Sequence, residues 1–341
     1  MPSGDPYQES VDKTLYRIRN FLPGDIVERF QEQSGLDSSA FQALEPGIRG
    51  TVTGIDGSSS LVLEGGSFSV AAIRAGRSTM QESGTHRLLT PLLLSLLGPE
   101  SENPDFPALY WECFENDPLT PLDHDDPHGP ASVLRDTLEY WVALRAVQTE
   151  APESLVLLDG ALRVSHASHD PVLQQIIATA ENRQVHLAAV AKRTEATWGG
   201  GIPLIPAAEG LASRAGVLPP WWIRIETKIL DHMQFRQWQH GDLYIVKLHP
   251  HAAVTLKLEL PLDQDEQSVH ETMQLLAGYA DDGRLPGYPY PLLDAHRSVV
   301  IDQETVDRIR HDLLRGMTGS GYTFSHYRQL FGDVHDEFRK Y

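Results

Sequence analysis

One cysteine, Cys113, stands in 341 residues. A single thiol excludes a disulfide framework and a thiolate zinc site within one chain. Long apolar runs are also missing. The strongest, Leu88 to Leu97, is about 10 residues and is broken by Thr90 and Pro91, too short to span a bilayer. Residues 1–5 carry neither the basic region nor the apolar stretch of a secretory signal, so the expectation is a cytoplasmic protein without a membrane anchor. Positive charge is scarce as well. Twenty-eight Lys and Arg face 47 Asp and Glu, for a formal net charge of −19. Proteins that track phosphates usually present a basic groove, because counterion release supplies much of their affinity. A chain this acidic is expected to bind nucleic acid weakly unless bound cations or a partner compensate.

What remains is an ordinary aliphatic content and a length sufficient for a full core, as one large domain or a domain with additions. Residues 8–34 predict one or two amphipathic helices broken at Pro23-Gly24, with Leu15, Ile18, Phe21 and Leu22 at helical spacing. A strand over 51–56 precedes two further β-type runs, Leu61–Leu63 and Phe68–Ile73, with Gly-rich turn chemistry between them, a pattern expected of a β-meander. The segment 98–130 is rich in Pro, Asp, Glu and His without a period and reads as an irregular insertion. Ser132 is a candidate N-cap for a helix to Val147 that sets Leu134, Leu138, Trp141, Val142 and Arg145 on one face.

A strand ending at Asp159, a helix opened by Asp170-Pro171 and a strand over 185–191 follow. Beyond Gly199-Gly200-Gly201, strands are expected over 243–248 and 253–260, and helices over 264–279, 292–299 and 302–314. The sum is an α/β layer arrangement with a mixed sheet, for which a ribonuclease H-like fold is one solution. The expected organisation is a helical segment over 1–45, a main domain over 46–315 and a terminal cap over 316–341.

Two acids attract the chemistry. Asp56, in Gly54-Ile55-Asp56-Gly57-Ser58, and Asp159, in Leu157-Leu158-Asp159-Gly160, each follow an apolar β-run. Taken singly, each also reads as an Asp-Gly turn. Two strand-end acids flanking a sheet seam, however, are what a divalent metal site needs. Oxygen donors suit Mg²⁺ or Mn²⁺, and an added imidazole shifts the preference toward Mn²⁺. With two ions, one lowers the pKa of the attacking water and the other stabilises the leaving oxygen of a phosphodiester.

Such a site needs companions. Glu139 lies mid-helix on an element that must dock on the sheet, although an i,i+4 surface pair with Arg135 explains it equally. Glu112 and Glu115 are rivals in irregular sequence. His296 stands on an expected helix, where a lone histidine is more often structural. Lys192 follows a buried strand directly and is placed to contact a phosphate or the aspartates. Tyr288 or Tyr290 is placed to orient a phosphate or base near His296. The cluster Asp123-His124-Asp125-Asp126-Pro127-His128 has a metal-site composition, but its irregular context favours a solvated loop.

At these residues the chain resembles the NurA family of prokaryotic DNA end-processing nucleases. The resemblance rests on Gly54-Ile55-Asp56-Gly57-Ser58, Leu157-Leu158-Asp159-Gly160-Ala161-Leu162, Ala191-Lys192-Arg193-Thr194 and Gly287-Tyr288-Pro289-Tyr290-Pro291-Leu292 with His296. It implies a ribonuclease H-like fold related to the Argonaute nuclease domain, a homodimer, and manganese-dependent exo- and endonuclease activity on DNA. It also implies partnership with a HerA-type hexameric ATPase, in double-strand break repair or phage defence. Under the same resemblance Asp56, Asp159 and His296 look like metal ligands, Glu139 like a helix-borne carboxylate ligand and Tyr288 like a late active-site tyrosine. Two other readings stand beside it. One is a sugar-kinase or actin-type ATPase, which shares the strand-meander topology and uses two strand-end Asp-Gly phosphate loops, and whose adenosine loop the Gly199–Gly201 run resembles. The other is a structural subunit of a DNA-translocating complex whose nuclease site has decayed.

Overall fold

The computed structural model describes residues 5–21, 26–45, 47–65, 68–98, 105–122, 128–191, 196–231 and 238–321. In chain order, α1 (Pro6–Phe21) and α2 (Ile26–Ser34) precede β1 (Gln42–Ala43), β2 (Val52–Glu64), β3 (Ser69–Gln81), β4 (Gly84–Leu89) and β5 (Leu93–Leu97). Helices α3 (Asp105–Phe114) and α4 (His128–Thr149) follow, then β6 (Leu155–Asp159), α5 (Asp170–Asn182) and β7 (His186–Ala191). The remainder is β8 (Thr197–Trp198), β9 (Ile202–Pro203), α6 (Leu204–Arg214), β10 (Trp221–Ile225), β11 (Gly241–Lys247), β12 (Leu256–Pro261), α7 (Glu266–Ala277), α8 (Tyr290–Val299) and α9 (Gln303–Gly319).

Ten strands form one sheet in the order β1-β10-β11-β12-β7-β6-β2-β3-β4, with β5 also on β3. Strands β2, β6 and β7 are mutually parallel, and every other pairing in the sheet is antiparallel. Three antiparallel strands followed by two parallel ones, joined with helices on both faces, is the ribonuclease H-like arrangement, here widened by β12, β11, β10 and β1.

Alternation along the central strands assigns their two faces. Ile55, Leu158 and Ala189 face the core built with Leu134, Leu138, Val142, Leu173 and Ile176 of α4 and α5. Val52, Leu157 and Val190 face the core built with Met273, Leu276 and Leu292 of α7 and α8. A third cluster around Phe30, Trp198 and Leu211 seats α2 and α6 on β10 and β11. Among the described residues no helix is long and apolar enough to cross a membrane.

Three expectations change. The runs 51–56 and 61–63 are one strand, because β2 pairs with β3 from Val52 to Glu64 with a single irregularity at Leu61/Leu63. Asp56 therefore sits inside a 13-residue strand rather than at a strand end or turn. The segment 98–130 contains α3, which buries Phe106 and Tyr110. Finally, α4 opens at His128, which places Ser132 inside the helix.

Helix α5 also starts differently. Its N-cap is His169 without a side-chain cap bond, and Asp170 accepts instead from Gln174 Nε2 at 2.8 Å and pairs with His240 Nε2 at 2.7 Å. Helix α9 continues to Gly319. Pro23-Gly24, Lys192-Arg193-Thr194, Asp123–Pro127 and residues 322–341 of the expected cap lie outside the described residues.

Candidate metal centre

The seam between β2 and β6 is where the site forms. Parallel pairing runs from Val52↔Leu155 to Ile55↔Leu158. At the next position β6 ends while β2 continues, so Asp56 and Asp159 emerge side by side at the edge. Gly160 follows with φ +132°, a conformation that L side chains rarely adopt, which lets the chain turn away directly behind the carboxylate.

Glycines on β2 admit the two flanking helices. A Cβ on Gly54 would lie 2.5 Å from the carbonyl of Pro291, so α8 rests against the bare strand backbone. That close approach carries His296 over the strand, with Nδ1 2.7 Å from Asp56 Oδ2. On the opposite face, a Cβ on Gly57 would overlap the carboxylate of Glu139. Helix α4 thereby reaches the same edge from the other side. The motif Gly-Ile-Asp-Gly is thus a strand flanked by two helix seats, with the acid between them.

Asp56, Asp159 and His296 each offer a ligand atom, and the three atoms lie within 4.8 Å of one another. The side chain of Asp56 is almost entirely buried, whereas that of His296 is half exposed. Asp56 Oδ1 also accepts from the Gly57 N–H at 2.8 Å. A cleft of about 520 Å³ opens over the cluster, lined further by Glu139, Arg135, Asp136 and Arg163. A buried acid, a half-buried acid and a half-exposed imidazole with open space above form a set that fits a hard or borderline divalent cation.

Electrostatics point the same way. Burial pushes the Glu139 carboxyl well above the usual carboxylate range, and the charges of Asp136, Asp56 and Asp159 push it further, against the pull of Arg135. An array of acids that raise one another's affinity for protons is an array with affinity for a cation. Arg135 is the local counter-charge. Its Nη2 lies 2.6 Å from Asp136 Oδ1 and its Nε 3.1 Å from Glu139 Oε1. The i,i+4 pair expected from spacing therefore exists, and Glu139 still faces the cleft.

Tyr288 is 5% exposed, and its hydroxyl has no hydrogen-bond partner among the described residues. Burial first, then the charges of Asp159 and Asp56, raise its pKa. Tyr290 opens α8 beneath the Arg284 guanidinium, 4.8 Å from the ring centroid, and neither tyrosine is in the cleft wall. Glu112 and Glu115 are exposed and are not in the cleft wall. Sequence reasoning passed over Asp136 and Arg163 and treated Arg135 only as a partner for Glu139. A repeat of ionisable residues along one face of α4 was the available signal.

The Gly199–Gly201 run is not an open nucleotide loop. It is the tight turn between β8 and β9, and Asp231 accepts from the Gly200 and Gly201 N–H groups, the latter at 2.8 Å. A carboxylate thus occupies the position where an anion would bind. Nor do the described residues contain the second full sheet that an actin-type ATPase requires; apart from the ten-stranded sheet there is only the β8–β9 pair.

Residues 50–197 match the family model described as the NurA domain. The matched span holds Asp56, Glu139 and Asp159 and stops before Tyr288 and His296. Comparison with curated proteins finds no match.

Among solved structures, the NurA nuclease of Sulfolobus solfataricus superposes with a TM-score of 0.58 at 15% identity, covering 93% of this chain and 98% of that one. A second NurA structure gives 0.53 at 11% identity, over 90% and 97% of the two chains. A NurA bound to dAMP and manganese gives 0.51 at 10% identity, over 87% and 94%. The likeness in fold therefore extends through nearly the whole chain.

Proposed function

We propose that the chain is a divalent-metal-dependent nuclease that hydrolyses phosphodiester bonds of DNA, with manganese as its ion. The observation that carries this reading is the convergence of Asp56, Asp159 and His296 within 4.8 Å at the β2–β6 seam, whose strands lie in the span that matches the NurA domain. The NurA structure with dAMP and manganese supports both the ion and the substrate class. A cation at this cluster would polarise the phosphate and lower the pKa of the attacking water.

The chain's own residues then have defined tasks. Asp56 and Asp159 supply fixed anionic oxygens. His296 adds a nitrogen donor from the opposite face, and its contact with Asp56 keeps the ring oriented. Glu139 contributes a further oxygen from α4, and Arg135 offsets its charge. Tyr288 offers a buried hydroxyl within the field of both aspartates, suited to hold a phosphate or solvent oxygen. Lys192 is the expected phosphate contact from the end of β7.

The net charge of −19 supports a division of labour in which another protein delivers the DNA. A HerA-type hexameric ATPase is the partner we assign, with the nuclease as a homodimer, in end processing for repair or in phage defence. Retention of both aspartates and the histidine supports an active enzyme over a decayed subunit.

Linear DNA incubated with Mn²⁺, alone and with the ATPase, tests the proposal. Degradation that EDTA stops and that Asp56→Ala and Asp159→Ala abolish is expected. Undiminished cleavage by either variant would sink the site, and no cleavage by the wild type under any divalent ion would sink the nuclease.

A further inference from the structure

The sheet contains a buried ion pair with no part in the cluster itself. Lys257 and Glu259 of β12 are 8% and 1% exposed, with Nζ 2.7 Å from Oε1. Removing two charges from water costs several kcal/mol, and apolar residues of similar volume often serve stability as well. The pair's second contact gives it a use. Glu259 Oε2 accepts from the Leu162 N–H at 2.9 Å. Leu162 is three residues beyond Asp159, in the loop that turns away from the cluster.

The rest of that loop is tied down on both sides. The Gly160 N–H donates to Val190 O at 2.9 Å, and Leu162 O accepts from the His240 N–H at 2.8 Å. Arg163 forms an antiparallel bridge with Gln239. Of these ties only the one at Leu162 N is a side chain, and it is a charged one reaching from two strands away. Gly241 permits it, since a Cβ there would lie 3.1 Å from Glu259 Cβ and 3.0 Å from Leu162 Cβ. Gly160 and Ala161, between the anchor and Asp159, line the cleft.

We propose that Glu259, held in place by Lys257, is a positioning residue that fixes the Asp159–Leu162 loop and thereby the geometry of metal binding, an inference that rests on the metal-site reading above. A charged acceptor makes a stronger bond to a backbone N–H than a neutral one. The lysine supplies the compensating charge that a buried carboxylate requires.

Manganese affinity, measured by calorimetry with Mn²⁺ alone on the full chain, separates positioning from mere packing. Glu259→Ala removes the anchor. Glu259→Asp keeps the ion pair but draws the oxygens back from Leu162. Both are expected to weaken Mn²⁺ binding about 10- to 100-fold, the usual effect of losing a group that orients a ligand. The neutral double variant K257M/E259Q retains an amide oxygen for the Leu162 N–H without the charge, and is expected to bind Mn²⁺ more weakly than the wild type but more tightly than E259A. Phe30→Leu, in the α2–α6 cluster, is expected to lower the melting temperature without moving the affinity and serves as the control. Unchanged affinity in E259A and E259D, or a loss in the double variant as large as in E259A, would overturn the proposal. Absence of Mn²⁺ binding by the wild type would overturn the metal-site reading, and this one with it.

Discussion

Glu139 rests on Gly57: the space a Cβ at residue 57 would need is taken by the carboxylate of Glu139. The contact links a strand residue beside Asp56 to a helix residue 82 positions later in sequence, and it sets how far α4 reaches toward the seam. Gly57→Ala is therefore expected to displace Glu139 while leaving β2 paired with β3. Misplacement of about 1 Å at a reacting centre costs on the order of 100-fold in rate. Cleavage of linear DNA should fall by that order while far-ultraviolet circular dichroism stays unchanged; full activity would remove Glu139 from the machinery.

Tyr288 carries the opposite signature, a buried hydroxyl with no hydrogen-bond partner among the described residues. Removing an unpartnered polar atom costs little and can stabilise. Tyr288→Phe is expected to melt within a degree or two of the wild type, about 0.5 kcal/mol or less, yet to lose about 10- to 100-fold in kcat if the hydroxyl meets the reacting phosphate. A variant that melts normally and cleaves normally would make the tyrosine a packing residue only.

Asp294 is the anchor of the histidine helix. It accepts from Ser78 Oγ at 2.7 Å and from Arg87 Nε and Nη2 at 2.6 and 2.8 Å, tying α8 to β3 and β4. Burial pushes its pKa up, but the Arg87 and Ser78 bonds outweigh this and hold it below the usual value. Arg87 is half exposed, so solvent discounts the pair. Asp294→Ala is expected to cost about 1–3 kcal/mol in chemical denaturation and to weaken Mn²⁺ binding through His296. Loss of stability with unchanged Mn²⁺ affinity would show that α8 holds its position without this anchor.

How much of this was legible in the sequence follows from the physics of each element. The apolar run into Asp159 announced its strand correctly because β6 is buried on both faces and ends where its parallel partner continues. Asp56 was legible as a candidate but not as mid-strand, since Gly57-Ser58-Ser59-Ser60 has turn chemistry. Those residues are small for tertiary reasons: Gly57 seats Glu139, and Ser58 Oγ accepts the Ile301 N–H at 3.2 Å. Helix α3 was hidden because it buries only Phe106 and Tyr110 in a segment otherwise rich in Pro and acids. Glu259 was illegible, because an acid between leucines in Leu258-Glu259-Leu260 reads as the solvent-facing alternate of a strand, and only the three-dimensional sheet shows that face covered.

Binding of the ion should also be visible without catalysis. A ligand that binds only the folded state stabilises by RT ln(1 + [L]/Kd), about 2.7 kcal/mol at 100 times Kd. Mn²⁺ is expected to raise the melting temperature of the wild type, EDTA to reverse the rise, and Asp159→Ala to abolish it. An equal rise in Asp159→Ala would place the ion elsewhere on this acidic surface.

Acid sensitivity has a separate source in His169. The ring is fully buried, its Nε2 lies 2.9 Å from Thr137 Oγ1, and its Nδ1 has no hydrogen-bond partner among the described residues. Burial, with a smaller contribution from His166, pulls its pKa from the usual 6.5 down to about 3. The unfolded chain therefore takes up a proton near pH 6.5 that the folded chain refuses until about pH 3. Between those values the unfolded state binds more protons, and stability falls as pH falls, by up to about 5 kcal/mol from this group. His169→Phe keeps an aromatic ring in place, and Thr137 Oγ1 retains its bond to Val133 O at 2.8 Å. The variant is expected to lose less stability than the wild type between pH 7 and pH 4 in denaturant titrations. Parallel losses in the two proteins would assign the acid sensitivity to other groups.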